Sequence, residues 1–100
     1  MIVVRFKVQC QPAEAEQAMA AFQRVVPPSR LVAGAIHFDV GRDVTDSNAF
    51  IATEVFEDRA ALDRQEALAE VQEVVGMLGG LVAAAPKATI YVASPEPWGE

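Results

Sequence analysis

Between residues 48 and 65 the chain reads N-A-F-I-A-T-E-V-F-E-D-R-A-A-L-D-R-Q, and its period changes midway. Residues 48–56 are rich in β-formers, with Phe50, Ile51, Val55 and Phe56, and predict a strand. Asp58 then stands as an N-cap, and Ala60, Ala61 and Leu62 open a helix. A strand that enters a helix through about two residues sets strand end and helix start at one edge of a sheet. Glu54, Phe56, Arg64 and Gln65 are thereby expected near one another.

The remaining segments fall into place around this unit. Ile2, Val4, Phe6 and Val8 alternate strictly with Val3, Arg5, Lys7 and Gln9, which predicts a strand with one buried face. Pro12 suits a first helical turn, with Glu14 and Glu16 favourable to the helix dipole. Ala15, Ala18, Met19, Phe22, Val25 and Val26 follow at helical spacing, and Pro27-Pro28 is expected to stop that helix. Residues 35–40 predict a second strand, Ile36, Phe38 and Val40 on one face, His37 and Asp39 on the other. The turn-forming residues 41–47 join it to the third strand as a hairpin. The second helix is expected to run to Leu68, bend, resume over residues 71–78 and end at Gly79-Gly80. Residues 88–93 predict a fourth strand, and 94–100, S-P-E-P-W-G-E, an exposed tail carrying Trp98, leaving residues 1–93 as one domain.

The order β-α-β-β-α-β is that of an α+β, ferredoxin-like fold: a four-stranded antiparallel sheet with helices on one face. The other face then needs a cover. Its expected residues are Val3, Arg5, Lys7, His37, Asp39, Phe50, Ala52, Glu54, Phe56, Thr89 and Tyr91. That mixture is too aromatic for a solvated face and too charged for a monomer core, so a homodimer through the sheet face is expected. Of the 52% hydrophobic residues eighteen are Ala, which bury little area each and favour the same conclusion.

Net charge is −6, which argues against nucleic acid and anionic membranes as partners. A lone Cys10 excludes an intramolecular disulfide and fits a reducing compartment. Charges interrupt the apolar start, so neither a signal peptide nor a membrane span is read there, and a cytoplasmic location is expected.

The chain also shows I-V-V-x-F-x-V, then Pro and an amphipathic helix, then G-x-x-x-F-D, then E-x-F-x-D-x-x-A-L-x-x-Q. In this it resembles the antibiotic biosynthesis monooxygenase domains of the dimeric α+β barrel superfamily, with Glu54, Phe56, Ala61 and Leu62 the best single signal. The resemblance implies a dimeric α+β barrel with a pocket in each subunit between sheet and helices. It implies cofactor-independent oxidation of a small aromatic or quinol-type compound, the chemistry that turns polyketide phenols into quinones. Other members degrade haem or isomerise signal molecules. The residues of the haem degraders fall on Phe6, Gln65 and about Val75, and none is retained, so no haem is expected. The Asn and Trp of the quinone-forming enzymes fall on Ala52 and Phe56, where only aromaticity survives, and Gln65 stands where the family commonly has His. The alternatives are a non-catalytic dimeric domain that binds a small hydrophobic molecule, and an isomerase using the same pocket.

The candidate catalytic residues are Glu54, Gln65 and His37. Glu54 is either a buried carboxylate with a raised pKa, suited to deprotonating a phenol or carbon acid, or an interface carboxylate paired with Arg5, Lys7 or Arg59. Gln65, one turn from Leu62 and Leu68, either orients a substrate carbonyl or hydroxyl or is solvated. His37 is the sole imidazole and a possible general base, but its alternation with Ile36 and Phe38 points to a structural or interface role. Phe6, Phe56 and Leu62 are the candidate substrate contacts; as core residues they need no ligand. Arg64 is expected to be solvated, Cys10 inert, and Met19 and Met77 core filler. No second His or Cys lies at ligand spacing, and no Gly-rich phosphate loop or nucleophile elbow is present, so neither metal nor cofactor is expected.

Overall fold

Strict alternation in the first eight-residue strand, β1 (Ile2–Gln9), puts Val4 and Val8 into the core and leaves Arg5 and Gln9 exposed in the computed structural model, which describes residues 1–99. A short 3-10 turn, Pro12–Glu14, leads into α1 (Ala15–Arg30), and β2 (Ala35–Asp43) and β3 (Asp46–Phe56) form the hairpin. Two short helices, α2 (Arg59–Glu66) and α3 (Ala69–Leu78), precede β4 (Lys87–Val92). The strands order β2-β3-β1-β4 with every pairing antiparallel, the ferredoxin-like arrangement. Met1 and Ala93 exchange two 3.0 Å hydrogen bonds that continue the β1–β4 ladder.

Register corrects one expectation. Ile2, Val4, Phe6 and Val8 stand opposite Phe56, Glu54, Ala52 and Phe50. Directly paired residues share a face, so these four β3 residues point toward the helices and not to the outer face. The outer face of β3 carries Ile51, Thr53 and Val55, paired with Lys7, Arg5 and Val3. β3 is apolar on both faces, with Phe50 beside Ile51 and Val55 beside Phe56, so its own alternation does not choose. Pairing with β1, whose alternation does choose, decides it.

The first helix also runs further than its prolines suggest. Pro27 and Pro28 lie inside its last turn, where they remove bonds that the Gln23 and Arg24 carbonyls would accept. Contacts beyond them hold the turn together. Ser29 is fully buried, and Arg30 donates from Nε to the Phe38 carbonyl at 2.9 Å and from Nη2 to Asp39 at 3.0 Å. The hairpin loop is shorter than expected, closed around Val44 and Thr45. Asp43 organises it, accepting from Thr45 N and Oγ1 at 2.8 Å each and pairing with Lys7 at 3.2 Å. Those Thr45 bonds, with Lys7 behind them, hold its carboxyl down at about 2.

At the start of α2, Asp58 Oδ1 accepts from Ala61 N at 2.9 Å, the cap that the sequence signals. The bend falls at Ala67 and Leu68, and the extended backbone of Leu68 starts α3 afresh. Gly34 takes φ +88°, and a Cβ there would stand 2.7 Å from that of Ala61, so only glycine lets the β2 entry pass this close to α2. The described tail residues form no helix or strand, and Trp98 is 96% exposed. Among the described residues no helix is long and apolar enough to cross a membrane.

Candidate functional site

The helices cover one face of the sheet incompletely and leave a cleft of about 440 Å³. Val4, Phe6, Ala52 and Ile90 form its floor, and Phe22, Leu62 and Val74 roof it. Its polar groups are few: Glu54 from the floor, and Gln65, Glu66 and Gln72 from α2 and α3. An apolar cleft of this size with a few converging polar groups has the form of a small-molecule site.

The β3 register is what brings Glu54 inward. It has no ion-pair partner among the described residues, because the cations expected to meet it are elsewhere. Lys7 pairs with Asp43, Arg59 with Asp63, and Arg5 is on the outer face. Within the chain Glu54 therefore meets none of the three cations. Burial raises the Glu54 pKa from 4.5 to about 7, and the negative charge of Glu66 pushes in the same direction. A carboxyl of this kind exchanges protons near neutral pH.

Gln65 is buried at 4% exposure, and its Nε2 donates to Ser29 Oγ at 3.1 Å. That bond fixes the carboxamide at the cleft wall and leaves a second amide hydrogen and a carbonyl oxygen for other partners. The structure thus brings Glu54, Gln65, Phe6 and Leu62 together around one space. It does not bring the other two candidates there. His37 is exposed on the outer face opposite Val55, and Phe56 is fully buried in the core beyond the cleft. Arg64 is exposed, in keeping with the solvated reading, and donates from Nη2 to the Ala33 carbonyl at 2.7 Å.

Sequence reasoning missed Glu66, Gln72 and Ser29. Glu66 closes α2, and the break after it turns α3 so that Gln72 donates back to the Glu66 carbonyl at 2.7 Å. The signal was the expected bend, which places polar residues from two helices at one corner. Ser29 carried none, since it follows two prolines. Cys10 is 1% exposed and burial raises its thiol pKa, which keeps it protonated and unreactive. Among the described residues no three His, Cys, Asp or Glu cluster as metal ligands would.

The sequence model of the antibiotic biosynthesis monooxygenase family matches residues 1–77. An uncharacterized protein of Synechocystis sp. is 37% identical over 62 residues, 62% of this chain; the match spans 42% of that curated relative's length. Among solved structures, the crystal structure of an antibiotic biosynthesis monooxygenase superposes with TM-score 0.87 at 21% identity, covering 95% of this chain and 100% of that one. PA3566 of Pseudomonas aeruginosa gives 0.86 at 23% identity, covering 94% of each chain. Rv0793 of Mycobacterium tuberculosis gives 0.88 at 17% identity, covering 95% of this chain and 96% of that one. At such identities the structural likeness is one of fold.

Proposed function

This chain belongs to the antibiotic biosynthesis monooxygenase family, and from that premise we propose that its cleft oxidises a small aromatic or quinol-type compound with O2 and no cofactor. The observation that carries this reading is the Glu54 carboxyl, unpaired at the floor of an apolar cleft and raised to about 7. Glu54 takes a proton from the substrate, and the resulting carbanion is electron-rich enough to give electrons to O2. For a ring CH2 the reaction is CH2 plus O2 to C=O plus water: one oxygen atom stays on carbon and the other leaves with both hydrogens. Gln65, held by Ser29, orients the substrate oxygen, and Phe6 and Leu62 pack its ring. The apolar walls keep water from quenching the carbanion.

Oxygen uptake with anthrone-like phenols and hydroquinones tests the reading. Turnover above the uncatalysed rate, lost in Glu54→Gln, supports it; ligand binding with no oxygen consumed counts against it. One observation favours a second reading. Glu66 lines the same cleft as Glu54, and two carboxyl groups can take a proton from one substrate atom and return it to another, which is isomerisation. Exchange of substrate hydrogen for deuterium from solvent without oxygen uptake distinguishes the two.

The same premise supports a homodimer through the outer sheet face. Val3, Ile51, Val55 and Tyr91 are set there among Arg5, Thr53, His37 and Asp39, and Tyr91 is 51% exposed. Sedimentation equilibrium at micromolar concentration is expected to return twice the chain mass; a single-chain mass removes the proposal.

A further inference from the structure

A second cleft, of about 280 Å³, lies across the Phe22–Phe50 ring pair from the Glu54 site. The two rings, 5.2 Å apart between centroids and tilted by 56°, line both spaces. Met19, Val26 and Pro27 of α1 form the apolar side, and Arg42 of β2 supplies the charge. The Arg42 guanidinium lies 5.1 Å from the centre of the Phe50 ring. Its Nη2 donates to Glu16 at 3.0 Å, while its Nε is buried and has no hydrogen-bond partner among the described residues.

A buried donor on a cation is costly to leave unmatched. Nε and Nη2 share one edge of the planar guanidinium, whose parallel N–H bonds match the two oxygens of a carboxylate. Glu16 occupies only the outer half of this edge, and its side chain is 84% exposed, so solvent competes for it. Among the described residues Arg42 is the only cation lining the cleft, which fits a singly charged carboxylate better than a phosphate dianion. The volume lies near the lower end of the ~300–1,000 Å³ common for small-molecule sites.

We propose that this cleft is a binding site for a small apolar monocarboxylate, with the carboxylate bridging Arg42 Nε and Nη2 in place of Glu16 and the apolar body lying along Met19, Val26 and Pro27. The site is independent of the reaction assigned to Glu54.

Calorimetric titration of the whole chain with benzoate and with benzamide tests it. Benzoate is expected to bind saturably in the millimolar range or tighter, with benzamide at least about tenfold weaker because it is neutral and presents an N–H donor where benzoate has its second acceptor oxygen. Arg42→Gln is expected to weaken benzoate by at least about tenfold. Glu16→Gln, at an exposed position, is expected to strengthen it, and Glu54→Gln to leave it unchanged. Equal affinity for benzoate and benzamide overturns the proposal, as does benzoate binding that responds to Glu54→Gln and not to Arg42→Gln. Absence of saturable benzoate binding overturns it too. Should Arg42→Gln fail to fold, the benzoate–benzamide comparison on the unaltered chain decides alone.

Discussion

Gln65 Nε2 donates to Ser29 Oγ over 3.1 Å, joining two buried side chains 36 positions apart. It is the bond that ties the end of α1, past its two prolines, to the helix that walls the cleft. Ser29→Ala removes the acceptor and leaves the buried amide one partner short, at a cost of about 1–3 kcal/mol. Urea unfolding is expected to show a lower midpoint with the slope unchanged. Gln65→Leu combined with Ser29→Ala is expected to cost less than the two singles added, because the double variant strands no polar group.

Glu54 makes stability and activity run in opposite directions with pH. Its carboxyl is protonated below 4.5 whether the chain is folded or not, and between 4.5 and about 7 only the folded state keeps the proton. The folded state therefore binds more protons in that window, and stability falls as pH rises through it. The full effect, reached above pH 7, is on the order of 3 kcal/mol. Glu54→Gln is expected to flatten this dependence and to be more stable than the unaltered chain at pH 8. Denaturant melts at several pH values read it directly.

The base, by contrast, works only when ionised. Turnover is expected to rise through about pH 7, the value to which burial and Glu66 raise the carboxyl. Glu66→Gln removes the smaller of these two causes, so the midpoint of the rate profile is expected to move to lower pH without reaching 4.5. A midpoint that stays in place would mean that the Glu66 charge is not felt at Glu54.

Gly34→Ala strains the entry to β2 twice over. Alanine disfavours φ +88°, and its methyl would meet Ala61 Cβ at 2.7 Å. The backbone strain alone costs about 1–3 kcal/mol, and thermal unfolding is expected to show a marked loss.

Asp58→Ala removes the oxygen that caps α2 at Ala61 N and is expected to cost about 1 kcal/mol. Asp58→Asn keeps an acceptor and is expected to restore most of that loss. Since α2 carries Gln65 and Glu66, the alanine variant is also expected to weaken cleft ligands while leaving Glu54 in place.

Much of the fold was legible because local signals agreed. In β1 every second residue is apolar, so the strand states its own buried face; Asp58 marks a helix start, and the turn residues after β2 mark a hairpin. The order of elements then leaves few topologies open, and the resemblance of residues 54–65 pointed to the right family. Glu54, Gln65, Phe6 and Leu62 were nameable for the cleft on that basis. What the sequence could not determine was the facing of β3, because Phe50, Ile51, Val55 and Phe56 make both its faces apolar. A one-residue choice of phase there decides whether Glu54 meets solvent and cations or an apolar cleft, and only the hydrogen-bond register with β1 makes that choice. The same holds for Pro27 and Pro28, which locally end a helix. Here the turn survives because Ser29 and Arg30 are bound by residues distant in the chain, contacts that exist only once the helix lies on the sheet.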